Sequence, residues 1–169
     1  MTALDAVRLV VFPALMAFAA SSDLLTMTIS NRLSLALSAV FLVLAIATGM
    51  PAVNIGMHLL AGFTVLTVGF IFFWCGWIGG GDAKLVAATA LWFGFDHLLD
   101  YVTYASLFGG ALTILLIQFR KLPLPALLTG QSWIMRLHKD GGDVPYGIAL
   151  AAAALIVYPK TGWMPGLTH

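Results

Sequence analysis

The sequence predicts an all-α protein: a polytopic integral membrane protein with about six transmembrane helices. Two observations carry this. Of 169 residues, 61% are hydrophobic and only 9% charged, and the mean hydropathy is +1.00. A soluble domain carries roughly 25% charged residues, so a chain this poor in charge cannot cover a surface facing water. The apolar residues also fall into six runs near the roughly 20-residue length that crosses a bilayer. The length fits one domain, residues 1–169. The net charge of +1 gives no electrostatic footprint for nucleic acid, and neither a low-complexity segment nor an internal repeat stands out.

The runs lie near 4–22, 32–50, 56–78, 83–100, 101–119 and 144–164. All should be helices, because lipid offers backbone N–H and C=O groups no other partner. In the first, Ala17-Phe18-Ala19 resembles a leader cleavage site. Asp5 offsets Arg8, however, and further spans follow directly, so it reads as a retained helix. A polar turn around Asp96 to Tyr101 divides the fourth run from the fifth. The sixth has only a short uninterrupted apolar part, and Lys160 must snorkel to the interface. Between the fifth and sixth lies a polar stretch, 119–143. There Leu127, Trp133, Ile134, Arg136 and Leu137 predict a short helix lying in the membrane interface, or an ordinary amphipathic connector.

Orientation follows from Lys and Arg. With the turn after the first run on the cytoplasmic side, that side holds Arg32, Lys84, Arg120, Lys121, Arg136 and Lys139, against Arg8 and Lys160 outside. Both termini then face outward.

Little here looks like a metal site. The one cysteine, Cys75, lies in an apolar run, and the histidines at 58, 97, 138 and 169 have no ligand spacing. His58 reads as structural or interfacial. The acidic residues are seven aspartates and no glutamate. Asp96 and Asp100 fit turn residues, and Asp140 and Asp143 fit a loop.

Asp23 and Asp82 differ from these. They end the first and third runs, and two crossings separate them, so both reach the cytoplasmic side. Asp82 follows Gly79, Gly80 and Gly81. Such glycines permit unusual dihedrals and close backbone approach, and irregular backbone at membrane depth is tolerated where protein or water satisfies it. They also make a plain flexible turn. Two adjacent carboxylates and one water suffice to hydrolyse a peptide without metal or cofactor. The pair shares a proton; the ionised member takes a proton from water and the other donates to the scissile carbonyl. Composition does not assign the roles.

These residues resemble a known family. Gly79-Gly80-Gly81-Asp82 matches the Gly-x-Gly-Asp signature of intramembrane-type aspartic peptidases. The run from Gly79 to Gly94 is similar to the second catalytic motif of type IV prepilin peptidases. Asp23, followed by Ile29-Ser30-Asn31, resembles their first motif, an aspartate shortly before Ile-Pro-Asn. Val144-Pro145-Tyr146-Gly147-Ile148 resembles their C-terminal motif. The resemblance implies that Asp23 and Asp82 are catalytic and that Gly79, Gly80, Gly81, Lys84, Asn31, Pro145, Tyr146 and Gly147 support them. Lys84 would hold the loop, bias the local field or simply anchor the helix.

Two departures stand out. Ser30 replaces the usual proline, which loosens the turn, and there is no paired-cysteine domain of the kind linked to N-methylation. The chain therefore resembles the compact, peptidase-only CpaA/TadV-like branch associated with Flp pili. That resemblance implies a bacterial inner-membrane peptidase facing the cytoplasm. Its partners would be the lipid bilayer and the basic leader and apolar N-terminal helix of a prepilin or pseudopilin, with Asp140 or Asp143 reading the leader's charge. Two other classes compete: a proton-coupled transport component using the same aspartates as relays, and a structural subunit of a secretion or pilus apparatus in which they cap helices.

Overall fold

A computed structural model describes residues 3–125 and 128–164. Its elements are α1 (Ala3–Thr26), α2 (Asn31–Ala47), α3 (Ala52–Trp74), α4 (Gly80–Lys121), α5 (Ser132–His138), α6 (Tyr146–Val157) and a closing 3₁₀ turn, Tyr158–Lys160. The protein is an all-helical membrane protein. Among the described residues, α1, α3 and α4 are long and apolar enough to cross a bilayer, while α2 and the segment Tyr146–Lys160 are shorter apolar helices. Large apolar side chains cover the outside, including Val10, Phe18, Leu35, Ile46, Val53, Phe63 and Trp74. A protein surrounded by hydrocarbon requires that surface.

The fourth and fifth runs meet at a different place from the one expected. Asp96 to Tyr101 are helical, and the break falls earlier, at Gly94, with φ 59° and ψ −167°. Those angles belong to glycine, and a side-chain carbon there would sit 3.0 Å from the His58 ring. His58 Nδ1 lies 2.7 Å from the Leu91 carbonyl oxygen, so α3 braces the break. Other runs are trimmed at their ends. The third stops at Trp74, just before Gly76 at φ 74°, and the helix of the sixth spans only Tyr146–Val157.

α4 is the centre of the bundle. It packs against α3, α6 and α2, while α1 packs chiefly on α6. Small residues set these contacts: Gly69 of α3 faces Ala83, and Gly62 of α3 faces Leu91. At the end remote from the aspartates, aromatic rings close the core. Phe12 stacks on Tyr158 at 4.3 Å and tilts against Trp92 at 4.8 Å, and Trp92 meets Trp163 at 5.2 Å. Their polar atoms are paired, with Trp163 Nε1 donating to the Trp92 carbonyl at 2.8 Å and Tyr158 Oη to the Arg8 carbonyl at 2.8 Å. This matters in a membrane protein, where an unpaired polar atom has no water to fall back on.

The short helix expected in 119–143 is α5. Ile134 and Leu137 are buried, and the helix packs on α1 and α4, so its apolar side faces protein. Leu127, assigned to the same apolar face, lies outside the described residues, as does His169.

Candidate active site

Asp23 lies near the end of α1 and is only 6% exposed. Its Oδ2 accepts a hydrogen bond from the Gly147 backbone N–H at 2.7 Å. That donor is one of the unsatisfied N–H groups in the first turn of α6, the positive end of a helix. Nothing larger than glycine fits at 147. A side-chain carbon would sit 2.8 Å from Asp23 Oδ2 and 2.9 Å from Ile29 Cδ1.

The chain reverses just after Asp23. Met27 N–H bonds to the Asp23 carbonyl at 2.8 Å, and Met27 adopts φ 54°. Ser22 Oγ donates to the Thr28 carbonyl at 2.9 Å, and the Thr26 and Thr28 hydroxyls pair at 2.7 Å. Ser30 then starts α2 with φ −71° and ψ 144°. These are the angles proline would impose, so the substitution leaves the turn's conformation in place.

Asp82 stands in the first turn of α4, three residues after the N-cap Gly79. From there its carboxylate reaches back to the Gly79 backbone N–H, half of a capping box. Gly81 is pressed on Ile29, to which a side-chain carbon would come within 3.2 Å, and Gly80 rests on the Phe73 ring. Ile29 therefore touches both the start of α4, which bears Asp82, and the start of α6, which holds Asp23. The Asp23 and Asp82 carboxylates are close enough that the charge on one acts on the other.

The remaining candidates divide. Lys84 Nζ donates to Asn31 Oδ1 at 2.9 Å and ties the first turn of α4 to the start of α2. Pro145 is buried ahead of α6, and the Tyr146 ring occupies the space where Gly109 of α4 lacks a side chain. Asp140 and Asp143 are exposed on the loop before α6. Arg120 fixes that loop by donating to the Leu137 carbonyl at 2.8 Å and the Asp143 carbonyl at 2.9 Å. Among the described residues no group of His, Cys, Asp and Glu is arranged to hold a metal ion.

Two contributors escape the sequence reading. Ile29 is the shared contact just described, and Arg136 of α5 donates to the Leu25 carbonyl, close to Asp23 in the last turn of α1. Ile29 carries a weak signal through its place in the Ile-Ser-Asn motif. Arg136 carries none, because a bond to a backbone carbonyl depends on no particular partner side chain.

The profile of the type IV leader peptidase family matches residues 10–114. That stretch holds Asp23, Asn31 and everything from Gly79 to Lys84, and Pro145 to Gly147 lie beyond it. No curated protein and no solved structure matches the chain. The family match covers more than half of the 169 residues and includes both aspartates, and the chain belongs to the type IV leader peptidase family.

Proposed function

We propose that this protein is an aspartic endopeptidase of the bacterial inner membrane. It removes the leader from type IV or Flp-type prepilins or pseudopilins at the cytoplasmic face, with Asp23 and Asp82 as its catalytic pair. The observation that carries the reading is the convergence of two carboxylates from the end of α1 and the start of α4 at one end of the bundle. Membership of a leader peptidase family supplies the reaction class.

Like charges this close share a proton more readily than both ionise. The ionised carboxylate takes a proton from a water held between the two, and the resulting hydroxide attacks the scissile carbonyl carbon. The protonated carboxylate donates to the carbonyl oxygen as it becomes tetrahedral. Collapse re-forms the carbonyl, whose proton returns to the carboxylate that gave it, and breaks the C–N bond, while the leaving nitrogen receives the proton taken from water. The Gly147 N–H holds one oxygen of Asp23, and the Gly79 N–H faces the carboxylate of Asp82. The pair thus stays positioned through the cycle, without reorganisation at the moment of reaction.

The distribution of basic residues supports a cytoplasmic site. Lys84, Arg120 and Arg136 all make their bonds at the aspartate end, while Arg8 and Lys160 lie at the aromatic end. With a single cysteine, exposed at the end of α3, these residues hold no paired-cysteine domain. The activity we propose is therefore leader removal without N-methylation. Incubating membranes that contain the protein with a Flp-type prepilin, and weighing the product, tests this. A mature chain starting on its apolar helix with an unmodified amine is expected. An uncut prepilin, or a methylated product, contradicts the reading.

A further inference from the structure

A groove of about 540 Å³ opens on the side of the bundle between α2 and α3. The two helices pack on α4 but hardly touch each other. The groove is floored by Ala87, Ala88 and Leu91 of α4 and walled by Leu35 of α2 and by Phe63 and Leu66 of α3. Its chemistry is graded. Most of its length is apolar, but the end toward the start of α4 carries Asn31, Ser34 and Lys84, and Ser38 lies one turn further along α2. Ser38 Oγ donates to its own helix, at the Ser34 carbonyl. The Ser34 hydroxyl oxygen is sealed from solvent and, among the described residues, has no hydrogen-bond partner. A buried hydroxyl without a partner is destabilising, so the groove is incomplete as it stands.

We propose that this groove receives the substrate's apolar segment, with its polar end reserved for the stretch where that segment is unwound. The inference rests on the peptidase reading above. A peptide bond inside a helix is closed to attack, so the substrate must be extended at the cut and helical further on. Extended backbone at membrane depth needs donors and acceptors from protein. The Asn31 side chain and the two protons of Lys84 not given to it supply them just where the groove nears the site. Beyond that point the small residues Ala87 and Ala88 let a helix lie close, as membrane helices pack. Lys84 sits two residues past Asp82 on another side of α4. With a helix about 10 Å across and about 3.3 Å per extended residue, some three residues carry the chain from Lys84 to the carboxylates. About the first three residues after the cut are therefore the unwound part of the apolar segment while it is bound.

The test is disulfide capture. The protein carrying Cys75→Ala and Asp82→Asn receives one new cysteine, at Leu35 or Phe63 in the groove, or at the exposed Phe18 of α1, outside it. It is then mixed in membranes with a Flp-type prepilin that has one cysteine in its apolar segment. Capture at Leu35→Cys and Phe63→Cys at least tenfold above Phe18→Cys is expected. In the otherwise native protein, Ser38→Phe should raise KM for the prepilin about tenfold and change kcat far less. Equal capture at all three positions overturns the proposal. So does an unchanged KM in Ser38→Phe, including the case in which that variant loses a phospholipid that the native protein retains on purification. Failure of the native protein to cut any prepilin strikes the peptidase reading instead.

Discussion

The two ends of this bundle are built on opposite principles. The aromatic end is filled: Phe12, Trp92, Tyr158 and Trp163 are almost wholly buried and pack ring on ring, with the indole and phenol groups that reach backbone carbonyls paired. The aspartate end is emptied. Glycines at 80, 81 and 147 lack side chains where Phe73, Ile29 and Asp23 press close, and the two carboxylates lie beside them. Large side chains at one end hold the helices in register, and absent side chains at the other let charged groups meet. Stability should therefore reside mostly at the first end and activity at the second.

Mutations at the two ends separate these properties. Phe12→Ala should have the largest effect on stability, about 3–5 kcal/mol as for other large-to-small core changes. Cleavage per folded molecule should stay within about twofold of wild type, measured by denaturation in detergent beside a prepilin assay. Gly147→Val should do the reverse. The added carbons displace the Asp23 carboxylate, and misplacing a reacting group by about 1 Å can cost about 10²-fold in rate. Folded yield should fall far less, and an active Gly147→Val would show that the Asp23 contact has no role.

Smaller effects sharpen the contrast. Lys84→Met loses the bond to Asn31, and at the ~1.5 kcal/mol of a charge-assisted hydrogen bond it should slow cleavage about tenfold. Asn31→Ala should do much the same, and the double variant should be little worse than either alone, because the two share one bond. If the effects multiply, the residues act separately. Tyr158→Phe should cost about 1 kcal/mol of stability by removing the bond to the Arg8 carbonyl and should not touch kcat.

Much of this architecture is legible in the sequence, and the parts that are not have physical reasons. The apolar runs announce membrane helices because hydrocarbon leaves the backbone no alternative. The glycines before Asp82 mark a close approach. The break in α4 is harder to place. Asp96 and Asp100 make the polar segment look like a turn, yet polar residues are accommodated in a helix, whereas the φ of 59° at Gly94 is open mainly to glycine. The bond from Gly147 to Asp23 joins residues 124 positions apart, and no local pattern encodes which helices touch. The motif around Gly147 draws attention to the residue, but its partner emerges only when α6 lies on α1. Ser30 carries a warning that the fold removes, because its backbone already takes the angles of the expected proline.

The central claim is that Asp23 and Asp82 act as one unit. The most direct test is the rate of prepilin cleavage by Asp23→Asn, Asp82→Asn and the double variant, each checked for folding. If the carboxylates share one proton and one water, each single change should lower the rate about 10³-fold, within the usual range for lost acid–base catalysis. The double variant should then be no slower than the worse single, as for residues that function together. Losses that multiply, or a single variant that cuts within tenfold of wild type, would contradict the account.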